Sequence, residues 1–446
     1  MKVIFIYVLI FAGSAFAATA DDPFTAAARA LPQEHSHTGP AVPALSLAQL
    51  EQIALQANPE IRISSRRVAA AEARIAGAGA LDDPSLMYRG WQVPVTQPWN
   101  YNAAMNMFMI GQSFSGPGKR GLRSQIANDA VTVSKAELEA KRREIAAGVR
   151  KAFYDLLRNG DELKIHDEQV AIAWQGLEAA RIKYSVGKVP QQDVLKAQIA
   201  VSKLIEHLVM LEQDAELGRA TLNTLLGRNP ESPIEVAGQY TLPARLPAIE
   251  ELEQLALTNR PELAGRSAEI TRAQDQLKLA RKAYTPDFSA NAGYMLMPRG
   301  SEHRNNYMIE GSMTLPWLNH RKHDSEIEEV QAGLFEQQAE FEAARVMVFQ
   351  QIQDALVRAR AAKKLVDFYK ETLRPQTEAA LQSTVIAYEN DRTDILNLLD
   401  GQNASLEVDS SYFRALAEFE QRMAELELAV GAPIRPTESG TTEVLR

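Results

Sequence analysis

The chain has 446 residues, with 48 Lys or Arg against 57 Asp or Glu and a formal charge of −9. A mild, dispersed negative charge offers no surface for a polyanion, so nucleic acid is excluded as a partner. The absence of cysteine removes disulfides, thiolate metal sites and cysteine nucleophiles in this chain.

Lys2 precedes an apolar run from Val3 to Ala12, and Ala15-Phe16-Ala17 then fits the small-residue cleavage pattern of a secretory signal peptide. The expectation is a signal peptide over residues 1–17, with a cut after Ala20 as the alternative, and an N-terminal linker over 18–45. No later stretch is long and apolar enough for a spanning helix of about 20 residues. Entry into a membrane therefore requires a closed β-barrel, which like a helix leaves no backbone group unsatisfied in lipid.

The remainder reads as one pattern written twice. Leu50-Glu-Gln-Ile-Ala-Leu-Gln-Ala-Asn-Pro-Glu-Ile61 recurs as Leu252-Glu-Gln-Leu-Ala-Leu-Thr-Asn-Arg-Pro-Glu-Leu263, an offset of 202 that also relates Pro84 to Pro286 and Lys119-Arg120 to Arg321-Lys322. Further on the offset becomes 204, relating Tyr184 to Tyr388 and Gly227 to Gly431. Repeat 1 spans 46–240, repeat 2 spans 241–432, and a C-terminal tail covers 433–446.

In repeat 1, helical spacing from Leu47 ends near Ala80, before Asp82-Asp83-Pro84. Strands are expected at about 85–95 and 103–114, a long helix at about 120–186 and a shorter one at about 191–226. Repeat 2 places a helix first, strands at about 287–297 and 306–315, and helices at about 322–390 and 394–430. No proline falls between Arg120 and Ser185, and a continuous helix there reaches about 100 Å at 1.5 Å per residue.

Such a helix needs partners along its length. Val149, Leu156, Leu163, Val170, Leu177 and Tyr184 recur every seventh position; past the break at Gly187 to Pro190, Val194, Val201, Leu208, Ala215 and Leu222 form the facing ladder. Ala197, Leu204, Leu211 and Leu225 interleave with it, Gly218 filling the missing rung, and this alternation of three and four is a coiled-coil seam. In the second half Ile352, Ala359, Val366, Leu373 and Ala380 run beside Phe341, Val348, Ala355, Ala362 and Tyr369, with Pro375 expected to kink the helix.

The strands alternate. Phe288, Ala290, Ala292, Tyr294 and Leu296 face one way, as do Tyr307, Ile309, Gly311, Met313 and Leu315 in the next strand, with polar residues between them. Apolar-out, polar-in alternation over about ten residues is the pattern of a transmembrane β-strand. Four strands close around nothing, since about eight are needed, so several copies must assemble in lipid.

Other motifs carry less. Gly116-Pro-Gly-Lys-Arg-Gly121 matches G-x-G-x-x-G but opens a helix far too long for a dinucleotide-binding unit. Met105, Met107 and Met109 share a strand face and suggest soft-metal ligation; the offset of 202 aligns them with Tyr307, Ile309 and Gly311, and so with lipid. The paired histidines at 35 and 37 and at 320 and 323 read as solvated turns. Neither a catalytic constellation, a cofactor site nor a resident metal site is expected.

This organisation resembles the TolC family of outer-membrane efflux proteins over residues 45 to 432. The motifs that carry the likeness are Tyr184-Ser-Val-Gly-Lys-Val-Pro-Gln-Gln-Asp-Val-Leu-Lys-Ala-Gln198 and Tyr388-Glu-Asn-Asp-Arg-Thr-Asp-Ile-Leu-Asn-Leu-Leu-Asp-Gly-Gln402. The resemblance implies an α+β membrane protein. Three chains share one transmembrane β-barrel, four strands each, continuous with a long coiled-coil-like α-helical barrel. It further implies a homotrimeric, passive, gated conduit in the outer membrane that extends into the periplasm. Its partners are a periplasmic adaptor and an inner-membrane pump of the resistance-nodulation-division type.

By the same resemblance Tyr184, Val186, Gly187 and Asp391 lie at the periplasmic tip that meets the adaptor, Asp391 replacing the family's glycine. Asp193, Tyr388, Asn397 and Asp400 form the tip gate, with Asn397 in place of one aspartate. The Ser113-to-Gly121 stretch is similar to family members of the heavy-metal branch, so the cargo is either metal ions or organic compounds. A secreted coiled-coil structural or adhesion protein is the alternative, and it predicts water-soluble material.

Overall fold

The computed structural model describes residues 43–243, 245–390, 392–434 and 443–445. The expected signal peptide and most of the linker lie outside the described residues.

The chain from residue 44 onward is built mainly of helices, with a small sheet. The region expected to form one helix from Leu47 to Ala80 is two, α1 (Leu47–Ala57) and α2 (Pro59–Ala78). Pro59 cannot donate into a continuing helix, and Asn58 restarts it: its side chain accepts from the Glu60 N–H at 2.8 Å and donates to the Leu225 carbonyl at 2.8 Å. Gly227 makes that contact possible. It sits at φ +68°, and a Cβ there would stand 2.8 Å from the Ala57 carbonyl oxygen.

Strands β1 (Ser85–Trp91) and β2 (Met105–Phe114) follow, then α3 (Lys119–Ser185, 67 residues) and α4 (Gln191–Leu225). After β3 (Tyr240–Leu242) the succession runs again: α5 (Ile249–Asn259), α6 (Pro261–Arg281), β4 (Phe288–Leu296), β5 (Asn305–Met313) and α7 (His320–Phe368). A π-turn (Tyr369–Leu373), α8 (Arg374–Glu389), α9 (Ile395–Val430) and β6 (Glu443–Leu445) complete the order. β6 pairs antiparallel with β3, so this part of the expected tail is tied back to the inter-repeat segment.

The long helix α3 packs against α4, α2, α6 and α9. The seam is built from the heptad ladders: Val149, Leu177, Val201, Leu222, Ile352, Ala359 and Val366 are all essentially inaccessible. Each fully buried Leu, Ile or Val contributes about 1.5–3 kcal/mol of transfer free energy, which keeps a helix of this length in place. Gly218 is a rung because space demands it, since a Cβ there would lie 2.8 Å from Leu156 Cδ2.

The second ladder departs from expectation at its end. Ala380 is exposed, whereas Leu381, Val385 and Tyr388 pack with Ile395 and Leu398. The π-turn just before Pro375 inserts one extra residue, so the buried stripe steps by eight and rotates onto a new set of positions. Arg374 holds the turn down, with Nε 2.7 Å from Asp409 Oδ1 and the guanidinium 4.6 Å from the Tyr412 ring centroid.

Four strands form one antiparallel sheet in the order β1-β2-β4-β5. Among the described residues β1 and β5 are its two edges. No described helix is long and apolar enough to cross a membrane.

Candidate functional site

Two places concentrate the features that point to function: the faces of the sheet and the ends of the helical hairpins.

Residues paired across the ladder share a face. One row is Tyr88, Phe108, Tyr294 and Tyr307; the next is Leu86, Ile110, Ala292 and Ile309. These rows are open, with Tyr307 and Ile309 each 88% exposed and Leu86 80% exposed. The opposite face holds Ser85, Arg89, Asn291, Asn306, Glu310 and Ser312. A contiguous exposed apolar surface backed by a polar one is the division of a strand between lipid and water.

Met107 and Met109 correct the sequence reading. Their ladder partners are Met295 and Gly293, which puts them, with Met105, on the polar face and away from Tyr307 and Ile309. Phe108 and Ile110 take the apolar side instead. The two hairpin loops, 92–104 and 297–304, differ in length by an odd number of residues, and an odd slip exchanges the two faces of a strand. The offset of 202 therefore relates β1 to β4 but fails between β2 and β5.

The junction of sheet and helices is where the glycine-rich motif acts. The Gly116 N–H donates to Asp287 Oδ1 at 2.6 Å, and Lys119 Nζ lies 2.8 Å from the same oxygen. Arg120 donates to the Gly79 carbonyl through Nε at 2.9 Å and Nη2 at 2.7 Å. The motif thus turns β2 into α3 and fastens that corner to the second half of the chain.

At the far end, α3 stops where the Gly187 N–H bonds to the Tyr184 carbonyl at 2.9 Å and the Lys188 N–H to the Lys183 carbonyl at 2.9 Å. Gly187 closes this cap at φ +75°, a conformation in which a side chain is strained. Tyr184 and Val186 are exposed, and Asp193, in the first turn of α4, is half-buried. At the second hairpin Asp394 caps α9 by accepting from the Asn397 N–H at 3.0 Å, while Asn397 and Asp400 share an exposed face one turn apart. Asp391 lies outside the described residues.

Tyr388 is 8% exposed, and Lys183 from the first hairpin joins it. Lys183 Nζ stands 4.0 Å above the ring and 3.2 Å from the Tyr388 carbonyl oxygen, so one cation links both hairpins. Sequence reasoning missed Lys183. A lysine one residue before Tyr184 carries no signal of its own, because its meaning comes from a contact some 200 positions away.

Between sheet and tip lies a belt of buried charge. Glu162 is fully buried and takes Arg414 Nε at 3.0 Å. Glu420, also fully buried, accepts from the Thr241 N–H at 2.7 Å and so ties β3 to α9. Burial raises the Asp161 carboxyl above its usual range, partly offset by the Tyr240 hydroxyl that donates to it at 3.1 Å. Among the described residues no group of three or more His, Asp or Glu side chains is placed to hold a metal ion.

The sequence profile of the outer membrane efflux proteins matches residues 50–228 and 252–432. The cobalt-zinc-cadmium resistance protein CzcC of Cupriavidus metallidurans is 25% identical over 318 residues, covering 70% of this chain and 74% of that protein. Among solved structures, the CmeC outer membrane channel of Campylobacter jejuni superposes with a TM-score of 0.73 at 14% identity, covering 88% of this chain and 87% of its own. CusC superposes with a TM-score of 0.72 at 16% identity, covering 90% and 97%. At these identities the structures establish the fold.

Proposed function

The chain belongs to the outer membrane efflux protein family, and on that premise we propose that three copies close a single barrel through which cargo leaves the cell. It is an outer-membrane channel component of an efflux system, similar in fold to the TolC-like channels.

The observation that carries the proposal is the sheet. Its apolar face is open, its other face is polar, and among the described residues β1 and β5 each leave one edge of backbone groups unpaired. Lipid tolerates neither free edges nor a solitary four-stranded sheet. Because β1 and β5 run antiparallel to each other, β5 of one copy can pair with β1 of the next, a head-to-tail contact that closes into a ring. The family resemblance favours three copies. The second element of the proposal is that the two successions of helices and strands are internal repeats, whose hairpins continue the barrel as a helical tunnel into the periplasm.

At the tunnel's end, Val186 and Gly187 meet a periplasmic adaptor, with Tyr184 and Asp391 beside them, and an inner-membrane pump of the resistance-nodulation-division type supplies the cargo. Asp193, Tyr388, Asn397 and Asp400 line or brace the gate, and Lys183 joins them. One aspartate fewer at the constriction lowers the focused negative potential there. The name of CzcC favours metal ions over organic compounds as cargo. A secreted coiled-coil spacer leaves the open apolar sheet face without a purpose.

Detergent extraction from outer membranes, native mass measurement and planar-bilayer recording test this together. The proposal expects three chains per particle and a KCl conductance. A water-soluble monomer that inserts into no bilayer overturns it.

A further inference from the structure

Six methionines, Met87, Met105, Met107, Met109, Met295 and Met308, stand on the polar face of the sheet. The ladder makes them neighbours. Met87 is paired with Met109 and Met107 with Met295, while Met109 and Met308 flank Gly293. Directly opposed residues have Cβ atoms about 4.5–5.5 Å apart, so flexible thioether arms on adjacent strands can converge. Met109 already leans across the gap: a Cβ on Gly293 would stand 2.6 Å from Met109 Cγ. Met107 and Met109 are buried within this layer, and Met87 lies beside Arg89, whose Nη2 is 3.7 Å from its sulfur.

Ordinary apolar packing does not account for this choice of residue. Across the four strands the polar face carries no Leu, Ile, Val or Phe, whereas the opposite face carries Leu86, Phe108, Ile110, Phe288 and Ile309 and a single methionine, Met313. A layer that needed only bulk would draw on both sets. Among the long aliphatic side chains sulfur sorts the two faces, and Trp91, opposite Met105, is the one aromatic on the polar side of these strands.

We propose that this methionine ladder is a soft-cation site, contacting monovalent ions of the Cu(I) and Ag(I) class as they pass through the lumen. Thioethers are neutral, soft ligands with no proton to lose, so they prefer such ions over Mg²⁺ or Ca²⁺ and hold them without a pH requirement. Several weak sites in a row suit passage better than one tight cage. The inference rests on the barrel reading, which makes this face the lumen.

The test uses the full chain purified in detergent, chloride-free, with silver nitrate as the probe. Retained silver is measured at equilibrium by dialysis against buffered silver nitrate, Ag–S scattering is recorded by X-ray absorption, and KCl conductance is recorded after reconstitution. Wild type should retain about one Ag(I) per chain on sulfur. The volume-conserving triple variant Met87→Leu/Met107→Leu/Met109→Leu, which leaves Met105, Met295 and Met308 in place, should bind less than half as much, with conductance unchanged. Met87→Leu alone, on the edge strand, gives the same comparison without altering a buried residue and should lower retention. The pair Met210→Leu and Met347→Leu, exposed on the helices, should leave retention as in wild type. The two readings fail separately. Absent KCl conductance in wild type overturns the barrel and the lumenal site with it. Intact conductance with equal silver retention in wild type and the leucine variants overturns the methionine site alone.

Discussion

Single residues decide two matters in this chain, how closely strands approach and how the hairpins hold together. Gly293 faces Met109 with no room for a side chain, since a Cβ would also sit 2.6 Å from the Phe108 carbonyl oxygen. Gly293→Ala should therefore separate β2 from β4 at a cost of about 1–3 kcal/mol, read as a lower melting temperature of the assembled protein. At the tip, Lys183→Met removes the cation and keeps its stem. If the contact with the Tyr388 ring contributes about 0.5–1 kcal/mol, open probability in bilayer recordings should rise about two- to fivefold. Tyr388→Phe keeps the ring and should stay near wild type; a large opening in that variant would move the role to the hydroxyl. The sequence exposed Tyr388 and Gly187 through the doubled motif, but it hid Lys183, whose partner is distant along the chain.

At the scale of elements, periodicity explains what was readable. The heptad ladders of α3, α4 and α7 are tertiary packing written locally, because each rung buries against a helix that runs alongside. Legibility ends where the register changes without a local mark. The π-turn moves the buried stripe from Ala380 to Leu381, and loops of unequal length reverse the faces of β2. The three-residue pairing of β3 with β6 is too short to leave a pattern. The contact of α3 with α9 also has an ionic component. Burial alone would raise the Glu425 carboxyl, but hydrogen bonds from Lys151 at 2.7 Å and Arg422 at 3.0 Å outweigh it and leave the group more acidic than usual. A depressed carboxyl adds stability above its unfolded pKa, near 4.3, and loses it as pH falls through the folded value. Lys151→Met should lower the thermal midpoint at pH 7, and the deficit should shrink as pH drops below about 4. A deficit that stays constant with pH would assign the effect to packing of the lysine stem.

For the whole molecule, the account stands on which way the sheet's two faces look. Natural absence of cysteine makes single-cysteine probes clean. The most direct measurement is a scan of β5 in liposomes, from Asn306→Cys to Glu310→Cys, with each variant labelled by a water-soluble maleimide and, separately, carrying a fluorophore quenched by spin-labelled lipid. Positions 307 and 309 should be quenched by lipid and resist the maleimide, while 306, 308 and 310 should do the reverse. Uniform reaction with the water-soluble reagent along all five positions would mean that this surface never meets hydrocarbon, and the channel assignment would fall.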